Sequence, residues 1–127
     1  MEKFRLQGTV KPFAGDGRKL GYPTANIEVN NDIAEGLFVG YVKLLNKKLP
    51  ALIFIGAPIT FGDRMKRAEA HILDFEDKDL YGESLEFIVT SKMRDNKKFN
   101  SKEELIKQMK QDEQDARNYF KKLSKGN

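Results

Sequence analysis

Apolar residues in the first ninety positions recur mostly at period two, and in the last thirty at helical spacing. Phe4, Leu6 and Val10 lie on one side of an extended segment, which reads as a strand ended by Pro12 and a glycine-rich stretch. A short strand is expected from about Ala25 to Val29, then a turn at Asn30-Asn31-Asp32. Leu37 to Leu45 and Leu49 to Ile55 are two apolar runs around Asn46-Lys47-Lys48, the pattern of a hairpin with substantially buried strands. Gly40 within the first run predicts a bulge or a close approach by another backbone. Arg67 to Phe75 is a further strand, with Glu69, His71, Leu73 and Phe75 on one face and Ala68, Ala70, Ile72 and Asp74 on the other. Leu85 to Thr90 is the last clear strand. Ser101 with Glu104 then forms a capping box. Leu105, Met109, Ala116, Tyr119 and Leu123 follow at helical spacing, widened by Ile106 and Phe120. Glu103 and Glu104 at the start and Lys121 and Lys122 near the end suit the helix dipole. About six short strands and one helix predict an all-β fold, a small closed or nearly closed antiparallel barrel, with the helix on one side or end of the sheet.

Composition narrows the chemistry. The 127 residues fit one domain over 1–127, with no internal repeat and no low-complexity linker. No cysteine is present, which excludes thiol catalysis and cysteine–zinc sites and fits a reducing, cytoplasmic setting. A lone histidine, His71, excludes a histidine-rich metal site. No apolar run can span a bilayer, and the N-terminus lacks the apolar core of a secretory signal. The net charge of +4 favours an anionic ligand without demanding nucleic acid.

The densest candidate chemistry lies in Gly15 to Asn26. Gly15, Gly17 and Gly21 let a backbone approach an anion closely, and Arg18 and Lys19 add charge-assisted hydrogen bonds. Pro23 stiffens the following turn, and Thr24 and Asn26 are neutral oxygen donors of the kind magnesium accepts. A phosphate and metal site and a flexible basic hairpin loop both fit this pattern. Glu69, between Ala68 and Ala70, is a candidate general base if partly buried, since desolvation raises a carboxylate's proton affinity. A solvated glutamate paired with a nearby cation fits the same residues. His71 reads as a structural hydrogen-bonding group, and Asp74, Glu76, Asp77 and Asp79 as a solvated acidic turn. Arg94, Lys97, Lys98 and Phe99 lie between the last strand and the helix, where they form either a basic loop with one aromatic that can close over an anionic, planar ligand or an ordinary polar connection. Phe61 and Tyr81 are loop aromatics, either stacking platforms or plugs at a barrel end.

Leu20-Gly21-Tyr22-Pro23-Thr24-Ala25-Asn26-Ile27 resembles the L-G-aromatic-P-T-A-N-I/L signature of riboflavin kinases. Ile55-Gly56 through Thr60-Phe61, Ala68 to Phe75, and Asp79-Leu80-Tyr81-Gly82 follow in that family's order, and Met93 to Phe99 with Leu105 and Asp112 resembles its C-terminal part. The resemblance implies a six-stranded antiparallel Greek-key barrel with a C-terminal α-helix. It implies transfer of the γ-phosphate of ATP to the 5′-hydroxyl of riboflavin, giving FMN and ADP. It assigns magnesium and phosphate to Thr24 and Asn26, and the glycine-rich flap to Gly15 through Gly21 with Arg18 and Lys19. It assigns the base to Glu69, and flavin contacts to Tyr81, Arg94 and Phe99. The expected partners are riboflavin, FMN and ATP, with no nucleic acid and no membrane, in a monomer. Relatives with an adenylyltransferase domain also make FAD, which is not expected of this chain.

The chain departs from the family pattern at Pro12-Phe13, Asp16, Leu37-Phe38-Val39, the early Pro58, and Asn96 where a glutamate is usual. Asp16 puts a negative charge in a phosphate loop, so an unusual nucleotide preference is expected there first. A non-catalytic flavin-binding module on the same barrel is the alternative these departures raise. A basic barrel binding nucleic acid, suggested by the pI near 9.2, ranks last.

Overall fold

Alternating burial builds the barrel. A computed structural model describes residues 3–10, 25–30, 32–56, 66–74 and 82–125. They fall into two compact units, Met1–Asn96 and Lys97–Asn127. The first unit holds six strands: β1 (Phe4–Thr9), β2 (Ala25–Val29), β3 (Gly36–Leu44), β4 (Lys47–Gly56), β5 (Lys66–Ile72) and β6 (Ser84–Arg94). All pairings are antiparallel, in the order β1-β6-β3-β4-β5-β2. β3, β4 and β5 follow one another and β6 returns beside β3, which is the Greek-key arrangement. The sheet's two edges, β1 and β2, approach closely enough that a Cβ added at Gly8 would lie 3.1 Å from Ile27 Cβ. The barrel is therefore nearly closed, as the sequence pattern predicts.

The core explains the order. Ile27, Phe38, Ile53, Ile55, Ala68, Leu85, Phe87 and Val89 are essentially inaccessible. Phe4 packs edge-on against Phe38, with ring centroids 5.7 Å apart. β3 is buried on both faces over Gly36–Gly40, so its apolar run is continuous rather than alternating.

Two strand ends differ from expectation. The β3–β4 turn falls at Leu45-Asn46, one residue earlier than the polar break predicts, and both residues have positive φ (51° and 68°). That is the two-residue type I′ geometry, which matches strand twist at the cost of a left-handed Leu45 that is 85% exposed. β5 ends at Ile72 rather than Phe75, because Leu73 turns inward to donate its N–H to the Pro50 carbonyl and Asp74 takes φ 57°. Phe75 lies outside the described residues.

β6 runs to Arg94, four residues past its expected end, and carries two register shifts against β3. Val39 pairs with Ser91 but Gly40 with Val89, so Thr90 is an extra residue. Its hydroxyl donates to the Val39 carbonyl at 3.0 Å. Gly40 sits at this bulge, and a Cβ there would lie 2.0 Å from the Ile88 carbonyl oxygen. The sequence offered a bulge or a close backbone approach at Gly40; both are present.

The second unit contains α1 (Lys102–Lys125). The Ser101 hydroxyl accepts the Glu104 N–H, and the Glu104 carboxylate accepts the Asn100 N–H, one residue before the usual capping-box donor. Asp112 and Ala116 are its buried residues, while Leu123 is 40% exposed at the far end of the apolar stripe.

Gly40→Ala is expected to destabilise the protein by about 3 kcal/mol or more, since the added methyl meets rigid backbone. Leu45→Asn is expected to stabilise it by about 0.5–1 kcal/mol, because asparagine tolerates the left-handed region. Urea denaturation of the two variants beside the parent checks both.

Candidate functional site

Side-chain parity on β5 separates core from site. Ala68, Ala70 and Ile72 point into the barrel, so Glu69 and His71 share the opposite face and are half-buried there. On β2, Ala25 and Ile27 belong to the core, and Asn26 falls on the same face as Glu69. Asn26 and Glu69 are direct register partners. Directly opposed residues of antiparallel strands carry their Cβ atoms about 4.5–5.5 Å apart. An amide and a carboxylate 43 positions apart in sequence are thereby brought side by side.

Asn26 is only 4% exposed. Its Oδ1 is a buried oxygen to which no hydrogen bond is directed among the described residues, while the residue makes other interactions. Glu69 likewise has interaction partners. An amide oxygen beside a carboxylate is a hard-oxygen donor pair, the type magnesium prefers. Among the described residues no group of three His, Cys, Asp or Glu side chains is placed for a metal ion.

The row continues past Glu69. Glu69 pairs with Phe54 on β4, Phe54 with Leu37 on β3, and Leu37 with Arg94 on β6. Asn26, Glu69, Phe54, Leu37 and Arg94 thus form one line across five strands on the outer face. The second register shift on β6, between Leu37 and Phe38, is what sets Arg94 in this line. Bulges commonly re-aim a side chain in this way. Arg94 lies at the end of a strand, not in the loop the sequence suggests, and its guanidinium donates to the Asp95 carbonyl at 3.0 Å.

Asn96 extends the same end of the unit, donating from Nδ2 to the Ile55 carbonyl at 3.2 Å. The residue that departs from the family's glutamate therefore ties the segment after β6 to the end of β4. Asp95 pairs with the Lys92 ammonium. That hydrogen bond and the adjacent positive charge hold its carboxyl below the ordinary aspartate value of 3.8.

In the second unit, Lys97, Lys98 and Phe99 line a cleft of about 350 Å³ with Glu104, Lys107 and Gln108. Lys97 Nζ donates to Gln108 Oε1 at 3.2 Å, and Gln108 Nε2 to Asp112 Oδ1 at 2.8 Å. Lys97, Lys98 and Phe99, which the sequence places together between the last strand and the helix, share this cleft. The helix residues that complete the cleft carried no signal beyond helical spacing.

Gly15, Gly17, Arg18, Lys19, Gly21, Pro23 and Thr24 lie outside the described residues, as do Pro12, Phe13, Asp16, Pro58, Phe61, Glu76, Asp77, Asp79 and Tyr81. Sequence reasoning missed Phe54. It sits in a continuous apolar run whose inward and outward faces read alike, and only the register with Glu69 distinguishes it.

A Greek-key barrel thus carries a paired amide and carboxylate on one outer row. The flavokinase family, described as riboflavin kinase, matches residues 1–120. The chain is 38% identical over 125 residues to the trifunctional protein RibF/MnmA of Mycoplasmoides gallisepticum, covering 96% of this chain and 19% of that protein. It is 37% identical over 124 residues to the bifunctional riboflavin kinase/FMN adenylyltransferase of Listeria monocytogenes, covering 94% of this chain and 39% of that protein. It is 34% identical over 110 residues to the RNA-binding riboflavin kinase RibR of Bacillus subtilis, covering 84% of this chain and 47% of that one. A crystal structure described as a macrolide-efflux protein from Streptococcus pneumoniae superposes with a TM-score of 0.78 at 36% identity, over 90% of this chain and 38% of that chain. The chain belongs to the riboflavin kinase family. That family consists of ATP:riboflavin 5′-phosphotransferases. The chain spans about a fifth to a half of the length of these curated relatives. No helix among the described residues is long and apolar enough to cross a membrane.

Because the folded state holds Asp95 ionised, its contribution is fully present above the ordinary aspartate pKa and is lost as pH falls through the lowered value. Lys92→Met is expected to return the Asp95 titration to the ordinary range, read by carboxyl NMR between about pH 2 and 6. The accompanying stability change is expected to be small, as for other exposed pairs.

Proposed function

We propose that this chain is a single riboflavin-kinase-like domain that transfers the γ-phosphate of ATP to the 5′-hydroxyl of riboflavin, giving FMN and ADP. The observation that carries this reading is the register pairing of Asn26 with Glu69 on one face. It sets a hard oxygen donor beside a carboxylate, where a phosphoryl donor and a hydroxyl acceptor have to meet.

Glu69 accepts the proton of the 5′-hydroxyl as that oxygen bonds to the γ-phosphorus. The bond from γ-phosphorus to the bridging oxygen breaks, and ADP leaves with the electron pair. Glu69 is half-buried, so its carboxylate is partly desolvated, which favours taking up a proton. Thr24 and Asn26 would hold magnesium. The ion would neutralise charge on the phosphates, the main requirement of phosphoryl transfer. Gly15, Gly17, Gly21 and Pro23 would shape the loop around the phosphates, with Arg18 and Lys19 adding charge. Tyr81, Arg94 and Phe99 are assigned to the flavin. The reading includes action as a cytoplasmic monomer without nucleic acid. Retention of Asn26 and Glu69 as a facing pair, within a family of kinases, favours catalysis over a purely flavin-binding module.

Incubation with riboflavin, magnesium and ATP, CTP or GTP in parallel is expected to yield FMN by chromatography. No FMN with any of the three would refute the reading. Glu69→Gln is expected to keep riboflavin and nucleotide binding and to lose about 10²–10⁴-fold in kcat. Full turnover in that variant would remove Glu69 from the base role.

A further inference from the structure

Phe54 is the one large apolar side chain exposed on the described strands of the barrel, at 37%. The other exposed large hydrophobics, Leu45 and Leu123, sit in a tight turn and near a helix end. Phe54 stands instead between Glu69 and Leu37 in the row that ends at Arg94. The strand-to-strand spacing of about 4.8 Å puts it one step from Glu69, and Arg94 about 14 Å from Glu69 along the sheet.

The ring is also accommodated by its neighbours. It leans along its own strand over Gly56, where an added Cβ would lie 3.0 Å from both Cε1 and Cζ. That same Cβ would be 3.4 Å from Asn96 Nδ2, whose bond to the Ile55 carbonyl fixes the amide beside the glycine. A side chain at position 56 would push the ring off the row. The absent side chain thus leaves room for the Cε1–Cζ edge of the ring, and the ring keeps 37% of its surface open on the outer row.

From this we infer that Phe54 is a specificity-determining residue for the acceptor, an apolar floor under riboflavin between the reacting hydroxyl and the flat ring system. The inference rests on the kinase reading above. An acceptor with its hydroxyl at Glu69 and its far end toward Arg94 has to cross the Phe54 ring. A ring there favours the carbon chain and flat ring system of riboflavin by dispersion and exclusion of water, without contributing to nucleotide binding. Gly56 acts through Phe54 as a positioning residue.

The experiment compares the parent with Phe54→Ala, Phe54→Leu, Gly56→Ala and the Phe54→Ala/Gly56→Ala double variant. Riboflavin affinity is read by fluorescence titration, KM for riboflavin and for ATP by FMN formation, and folding by thermal melting. Phe54→Ala is expected to weaken riboflavin binding and raise its KM about tenfold, the scale of losing one hydrophobic contact, with KM for ATP unchanged. Phe54→Leu should restore most of that loss. Gly56→Ala should resemble Phe54→Ala and add little to it, because both remove the same surface. A folded Phe54→Ala that binds riboflavin like the parent, or that loses ATP and riboflavin equally, overturns the inference. Should Phe54→Ala not fold, Gly56→Ala decides by the same comparison, since it retains the ring and only shifts it. Failure of the parent to make FMN defeats the kinase reading itself. Normal riboflavin binding in the variants of an active parent defeats only the role of Phe54.

Discussion

Everything on the outer face depends on the register between β2 and β5. Ala25, Ile27, Ala68 and Ala70 fill the barrel interior, so the intervening Asn26 and Glu69 have to face each other on the other side. A one-residue slip of β5 would drive Glu69 into the core, and the same slip of β2 would bring Ile27 out. Burying a carboxylate without a partner costs several kcal/mol, and exposing a large aliphatic side chain costs about 2 kcal/mol more. The core therefore enforces the geometry of the site. Small residues on β5 and large ones on β2 and β4 divide this labour, alanine leaving room for Ile27, Ile53 and Ile55.

β6 solves a different problem. It has to pair with β1 along one edge and with β3 along the other, while its far end contributes a cation to the outer row. Two extra residues absorb the mismatch. Thr90 returns its hydroxyl to the Val39 carbonyl, which keeps the bulge from leaving that acceptor bare, and Gly40 gives the room. Beyond the second shift, the Asn96–Ile55 bond holds the strand's exit against β4.

The strands were legible where one face is polar. Phe4 to Val10, Ala25 to Val29 and the first half of β5 alternate cleanly, and the structure follows them. Gly40 was legible because a glycine weakens an apolar strand unless a bulge or a neighbouring backbone requires the missing side chain. Legibility failed where burial is two-sided. β4 and the start of β3 read as uniform apolar runs, so nothing in them marks Phe54 as outward-facing. The end of β6 failed on different grounds. Thr90-Ser91-Lys92-Met93-Arg94 has neither apolar period nor turn chemistry, and its extended form is imposed by pairing with β3. In the same way the pairing of Asn26 with Glu69 follows from strand order, which local pattern does not contain. The family signature linked the two residues in advance, and the register now gives that link a physical cause.

The seam between β1 and β2 is joined differently from the rest of the barrel. The five neighbouring pairs in the sheet are laced by backbone hydrogen bonds, whereas the two edges meet through side-chain packing such as that of Ile27 against Gly8. Among the described residues no ladder bond joins the two edges, so the cylinder has one soft joint and five stiff ones. The chain between Thr9 and Ala25, which includes the glycines and the Arg18-Lys19 pair, is anchored on both sides of that joint. A change in the seam's width is thus the motion of least resistance by which the barrel wall can alter the distance between the two ends of that segment.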